Sequence, residues 1–381
     1  MRSSSRFLVL LGFLVLVPAL RAQTEDERQP WIDVQFPLDS PVLAVSTSFG
    51  PSTLRPRGAS MSLDLHASLL LRNTSNKTIS GLTLRVEAQD VTPSGKASVT
   101  VPSLDVPPGE VFPVRIDAQL VRPFSMGKAE GALVQVSLDC ALFSDLTAYG
   151  PDKLNSRRAL MVYELEARRD RRYMAALLER KDWAQVREEL DFGLPDRPPQ
   201  LGLELLHDPR ANAWREEPVN VGAVAFRNAP VQPVGGAARV AGNEVHAPAI
   251  QVKNTSQKMV RSIDMGWIVR DERGREFMAG SIPAALPLAP VQTGTMTEQG
   301  TLRFSHPTGA PMLIGALMAF VSDVEFADGK LWIPSRSDID QATSDPALRR
   351  ALATSPEQQR LAEIYRRKGI AGLQDALRKL N

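Results

Sequence analysis

One cysteine, Cys140, stands in a chain of 381 residues. A lone thiol closes no internal disulfide, so each domain must stand on its apolar core. Its neighbours in VSLDCALF are apolar and no basic residue or histidine adjoins it. It therefore reads as a small buried hydrophobe rather than a reactive thiol. Histidine is almost as scarce: His66, His207, His246 and His306, none in His-x-x-x-His or Glu-x-x-His spacing. With no cysteine pair either, no metal site is written locally. A recurrent His66 and His246 in near-equivalent strands is explained by repeated scaffold. An excess of charge of one sign is also missing, since Lys+Arg 45 against Asp+Glu 43 leaves a net +2. That balance excludes a dedicated nucleic-acid binder, which needs a marked basic surplus.

Catalytic motifs are absent in the same way. No Gly-x-Ser-x-Gly elbow and no phosphate-cradling glycine loop is present. Ser125-Met126-Gly127-Lys128 fits Ser-x-x-Lys, but its Ser-Asp-Asn and Lys-Thr-Gly companions are lacking, which makes it a coincidence. Asp338-x-Asp340 lacks the rest of a calcium loop and reads as a helix cap. The expectation is a protein that is not an enzyme, with no catalytic residues, no cofactor and no metal.

What is present begins at the N-terminus. Arg2 and Arg6 precede FLVLLGFLVLVPAL, and Leu-Arg-Ala closes the run before Gln23. A charged n-region, an apolar h-region and a small residue at the cut describe a secretory signal over residues 1–22. The run is too short to span a bilayer comfortably, and no other segment is long and apolar enough. Export to the periplasm or beyond is expected, with no stable membrane span after cleavage. Pro 29 and Gly 25 against 6% aromatic residues point to many turns, as in all-β domains.

The chain also writes one sentence twice. LLLRNTSNKTISGLTLRVEAQD (69–90) returns as IQVKNTSQKMVRSIDMGWIVRD (250–271). At the spacing set by Asn73 and Asn254, Leu82, Leu84 and Val86 fall on Ile263, Met265 and Trp267. Gly109 pairs with Gly294, Phe49 with Phe226, and Ser144-Asp145 with Ser322-Asp323. A tandem duplication follows from these matches. Within each copy, short alternating runs separated by turns every ten residues or so mean an antiparallel sandwich or barrel. NTS is the turn, its side chains bonding locally to the backbone. The NTS tripeptides also fit a glycosylation acceptor, though turn chemistry already accounts for them. Ser156 to Leu190 has helix formers without Gly or Pro and reads as one helical run. Asp345-Pro346 and Ser355-Pro356 are well-formed helix starts. Inside the helical run, Ala167 to Arg172 (ARRDRR) reads as a solvated basic face paired with Glu164, Glu166, Asp170 and Glu179.

An NTS turn after a strand, a strand ending in Asp, a Gly, and a Pro-Gly turn before the outgoing strand together resemble the FxLYD-type immunoglobulin-like sandwich of bacterial envelope proteins. The residues are Asn73, Ser75, Asp90, Gly95, Pro108 and Gly109, then Asn254, Ser256, Asp271, Gly274 and Gly294. The Phe-x-Leu-Tyr-Asp core reads VEAQD and WIVRD, keeping only the Asp. The resemblance implies an exported scaffolding or binding domain with no catalytic residues to carry over. The expected fold is mainly β with helical tails: two tandem antiparallel immunoglobulin-like sandwiches at 31–154 and 218–335. Helical tails follow at 155–192 and 336–381, and 193–217 is the linker. The expected partner is another envelope or secreted protein. The alternatives are a periplasmic chaperone-like or carrier-like binder with an inter-domain cleft, which needs an open apolar edge strand near two basic residues, or a hydrolase with a site at the domain junction.

Overall fold

The computed structural model describes residues 32–88, 93–123, 133–191, 201–206, 215–306 and 308–380. The signal expected over 1–22, Ser125–Lys128, Asp90 and His207 lie outside the described residues.

In the first half the strands are β1 (Ile32–Gln35), β2 (Val42–Phe49), β3 (Thr53–Arg57), β4 (Ser60–Asn73), β5 (Ile79–Glu87), β6 (Lys96–Val101), β7 (Val111–Pro123), β8 (Val134–Phe143) and β9 (Ala148–Tyr149). One sheet runs β1-β8-β5-β6 with β9 on β8, and the other is built on β4, with β7 along one side. β2 and β3 lie end to end along the other side of β4, pairing with its later and earlier residues respectively. In β4 the period of two is complete: Leu63, Leu65, Ala67, Leu69 and Leu71 are buried, while Asp64 and Arg72 are exposed. These join Leu82, Leu84 and Val86 of β5 and Val134 and Val136 of β8 in one core. Each such aliphatic side chain contributes about 1.5–3 kcal/mol on burial.

Two helices follow, α1 (Ser156–Glu179) and α2 (Trp183–Asp191). The single run expected from the sequence breaks at Lys181, which adopts a left-handed φ of 56°. The stretch 193–217 is not only a linker. It contains β10 (Gly202–Leu206), which pairs antiparallel with a later strand, and it ends where β11 (Glu217–Ala223) begins. Too few alternating residues in GLELL separate a five-residue strand from a loop by pattern alone.

The second half adds β12 (Val231–Ala241), β13 (Glu244–Asn254), β14 (Val260–Asp271), β15 (Glu276–Ala284), β16 (Thr293–Thr297), β17 (Thr301–Ser305), β18 (Ile314–Phe326) and β19 (Leu331–Trp332). All its strands belong to one sheet in the order β10-β17-β13-β12-β11-β18-β14-β15, with β16 on β13 and β19 on β18. β11 makes it continuous, pairing antiparallel with β12 and parallel with β18. β1 runs parallel to β8 in the same sense, but among the described residues it pairs with no other strand. Trp267 is fully buried at the centre of the second core.

The chain closes with α3 (Arg336–Ala342), α4 (Pro346–Ala353) and α5 (Pro356–Leu380), the last interrupted at Gly369. Both expected proline starts are found, and Ser335 with Asp338 forms a complete capping box. The helical tails do not stand apart. Met174 and Leu177 of α1, Val186 and Leu190 of α2, and Leu361, Leu373 and Leu377 of α5 form one apolar cluster.

Candidate functional site

The twice-written corner is a buried bracket. Asn73 and Asn254 are both 0% exposed. Asn73 Nδ2 donates to the carbonyls of Lys77 and Val106, each at 2.8 Å, and its Oδ1 accepts from Ser75 N at 3.0 Å and Ser75 Oγ at 2.7 Å. Asn254 Nδ2 donates to Lys258, Leu288 and Ala289 carbonyls, and its Oδ1 accepts from Ser256 N and Oγ. An amide nitrogen spent this way has no room for a glycan. The corner is scaffold.

Beside each bracket a lysine reaches across. Lys77 Nζ meets Asp145 at 2.7 Å and lies over Phe143; Lys258 Nζ meets Asp328 at 2.9 Å and lies over Phe326. The sequence match of Ser144-Asp145 with Ser322-Asp323 is thereby corrected to Ala327-Asp328. Ser144-Asp145 lies in the turn after β8, whereas Ser322-Asp323 lies inside a strand, Ile314–Phe326. With the corrected register, Asp323 occupies the place held in the first half by Cys140, and its cross-strand partner Asp264 the place of Thr83.

Among the described residues the histidines and the cysteine are not brought together. His66 Nδ1 contacts Asp117 at 2.7 Å, and this hydrogen bond holds the ring above its ordinary pKa. His246 Nδ1 meets Thr301 Oγ1 at 2.9 Å. Among the described residues no three His, Cys, Asp or Glu side chains are arranged to hold a metal ion. Burial pushes the Cys140 thiol up to about 12, with nearby Asp152 and Asp139 adding to the effect. At that value it is protonated and inert.

The basic stretch of α1 is not a solvated face. Arg169, Asp170 and Arg171 are 7%, 2% and 6% exposed. Arg169 Nε lies 2.9 Å from Asp170, and its terminal nitrogens donate to the carbonyls of Pro334 and Ala353. Asp170 also meets Arg336 at 3.0 Å and accepts from Ser355 Oγ. Arg171 and Arg168 both bind Glu164, and only Arg172 of the set is exposed. Helical periodicity places charges correctly along α1 but says nothing about helices from far along the chain, and α3, α4 and α5 are what bury them. At the start of α1, Arg158 reaches Asp264 at 2.8 Å and Asp323 at 2.5 Å. Sequence reasoning missed this trio. The available signal was a carboxylate inside each of two apolar strands, IDMGWIV and FVSDVEF.

The candidate binding feature is the side of β2 and β3 that is unpaired among the described residues. Val42–Phe49 reads VLAVSTSF, without a charge. Leu43, Val45 and Phe49 are 54%, 45% and 48% exposed, the unpaired Val45 at a bulge between Ala44 and Ser46. Among the described residues β2 and β3 pair with β4 alone. Proteins normally protect such an edge with charge, proline or a covering strand. β3 carries the protective set, Arg55-Pro56-Arg57, and both arginines are exposed without a carboxylate partner among the described residues. β12 of the second half, also bulged at an exposed Val234, is covered by β11 over its later residues, Gly236 to Val240.

No family model and no curated protein matches the chain. Among solved structures the chain is similar to vicilin from hazelnut (Corylus avellana) at 12% identity, over 70% of this chain and 82% of that one, with a TM-score of 0.08. A likeness that slight carries no argument about fold or function.

Proposed function

We propose that the protein is a non-enzymatic, exported interaction protein of the bacterial cell envelope. In this reading it is a tandem duplication of immunoglobulin-like sandwiches of the FxLYD kind. It captures an extended segment of another envelope protein along the open side of β2 and β3. The observation that carries the reading is the charge-free edge of β2 with Leu43 and Phe49 exposed on it. Strand addition supplies affinity through main-chain hydrogen bonds and specificity through alternate side chains. β11 supplies the pattern for the occupant: it runs antiparallel to β12, with Val221 buried and Val219 packed on the core. Arg55 and Arg57, without a carboxylate partner among the described residues, add a preference for a segment with an acidic end.

The test uses the chain from Gln23 onward and synthetic nine-residue peptides of alternating valine and threonine, ending in Asp-Asp or in Lys-Lys. Binding of the acidic peptide, lost in Leu43→Lys and Phe49→Lys, is the expected result. Both side chains are about half exposed, so neither change should disturb folding. No binding, or equal binding by the variants, ends the proposal. So does cross-linking of residues 23–31 to β2, which would assign the edge to the chain itself. The chaperone-like alternative rests on the same edge and the same two arginines; transfer of the bound peptide to a second protein would favour it. The hydrolase alternative would need reactive carboxylates between the halves, where Asp264 and Asp323 are paired with Arg158 of α1.

A further inference from the structure

The two copies of the asparagine corner share a skeleton and differ where they meet solvent. Their backbone hydrogen bonds give the correspondence residue by residue. Asn73 N donates to Glu110 O and Glu110 N to Pro107 O; Asn254 N donates to Gln292 O and Gln292 N to Ala289 O. Gly109 therefore answers to Val291, and not to Gly294 as the sequence match has it. Ser144 N donates to Thr78 O as Ala327 N does to Met259 O, so Thr78 answers to Met259. Ser40 N donates to Pro37 O and Thr74 N to Pro41 O, as Ala229 N does to Phe226 O and Thr255 N to Pro230 O. Leu38 and Asp39 thus answer to Arg227 and Asn228.

Val291 is the anomaly. Gly109 takes a φ of 81°, which glycine adopts freely. Val291 takes a φ of 63° with a β-branched side chain, a costly conformation for that residue type. Its side chain is 61% exposed, so the core gains nothing in return. Met259, 51% exposed, precedes Val260, whose bridge to Leu288 joins the two turns. The charge differs as well. At the first corner Arg72 and Lys77 stand with Asp39, Glu110 and Asp145, a net −1. At the matched positions of the second, Arg227, Lys253 and Lys258 stand with Asp328, a net +2, because Asn228 and Gln292 replace two carboxylates. Asp338, which accepts from Asn228 Nδ2, is buried.

We propose that this corner of the second half, with Met259 and Val291 at its tips and Arg227 and Lys253 beside them, seats on the surface of an anionic phospholipid bilayer.

Two exposed turns offer too little area for a stable protein interface, which takes upward of about 1,000 Å². A bilayer surface needs only a few apolar side chains at headgroup depth and cations for the phosphates. Lys253 of β13 pairs with Thr293 of β16, two residues on from Val291, and Lys258 precedes Met259. Lys258 also binds Asp328 at 2.9 Å, so Arg227 and Lys253, both exposed, carry the excess charge. Among the described residues no helix is long and apolar enough to cross a membrane, and this contact is peripheral. It is independent of the edge of β2, so peptide capture there and lipid binding here stand or fall separately.

Flotation of the chain from Gln23 onward, which leaves out the apolar run before it, tests this. The vesicles are phosphatidylcholine alone, or phosphatidylcholine with about one-third phosphatidylglycerol. The expected result is binding to the anionic vesicles that falls as salt rises, and little to the neutral ones. Met259→Thr with Val291→Gly installs the first half's residues. It should weaken binding about tenfold without lowering the melting temperature, because glycine relieves the backbone. Lys253→Gln should weaken binding about fivefold. Leu38→Ser, at the fully exposed apolar residue of the first corner, should leave binding unchanged. Absence of binding to the anionic vesicles, equal binding to the neutral ones, or a double variant that binds like the wild type overturns the proposal. So does unchanged binding by Lys253→Gln, which also decides the matter if the double variant melts early, or a loss in Leu38→Ser as large as in the double variant.

Discussion

Replacing Asn254 by alanine should cost the second half about 2 kcal/mol, less than a count of its five hydrogen bonds suggests. Each of the three carbonyls it serves keeps another donor. Leu288 O still receives Val260 N at 2.9 Å, Ala289 O still receives Gln292 N at 3.1 Å, and Lys258 O still receives Ser256 Oγ at 3.2 Å. The group left without a partner is Ser256 N–H, in a half-buried residue. Loss of one such donor, with a small void, gives the stated figure. Asn254→Asp separates the physics further. Its Oδ1 still serves Ser256, but the second oxygen now faces three carbonyl oxygens. Ionisation there is opposed, so the carboxyl is driven above its unfolded pKa. This variant should be weaker than Asn254→Ala at pH 8 and should recover as pH falls, since a raised pKa leaves its stability in acid. Urea unfolding read by hydrogen exchange over 244–271, with 60–87 as internal reference, reports the second half alone. A loss under about 0.5 kcal/mol for Asn254→Ala, or an Asn254→Asp chain as stable as the wild type at pH 8, would refute the bracket.

Arg169→Ala should cost about 3 kcal/mol, since it strands two carbonyls and unbalances Asp170, whereas Arg172→Ala should stay within about 0.5 kcal/mol; thermal melting of the pair separates a buried network from a solvated face. Cys140 should resist alkylation at pH 8 until urea unfolds the first half, because its thiol is pushed up to about 12; mass spectrometry of the native chain reads this directly.

Much of the β framework is legible in the sequence because its period is local. Leu63 to Leu71 alternate along the chain and the buried set follows from spacing alone, whereas β5 also buries Ser80 and Thr83, off the alternating apolar set. The NTS turn was legible for the same reason, though not the burial of its asparagine, which depends on the carbonyls of Val106 and Leu288 arriving from later turns. The fate of ARRDRR was not legible. Glu164 is one turn away, but Pro334, Arg336, Ala353 and Ser355 lie far along the chain. Asp264 and Asp323 each look like a single polar lapse in an apolar strand, and only strand register makes them a pair. β10 was hidden by brevity, and the break at Lys181 by a residue type that favours helix.

Among the described residues β1 and β11 are held in different ways, and on that footing the two halves differ in mechanical strength. β11 is fastened on both sides, through Glu217–Val221 to β12 and Val221–Ala223 to β18. β1 has one described partner and four residue pairs, Ile32 with Val134 to Gln35 with Ser137. A load applied at the N-terminal side of Ile32 falls first on that short parallel ladder. Tension would strip β1 from β8 and expose Val134 and Val136 while the second half still bore force, so the first half is the element that yields.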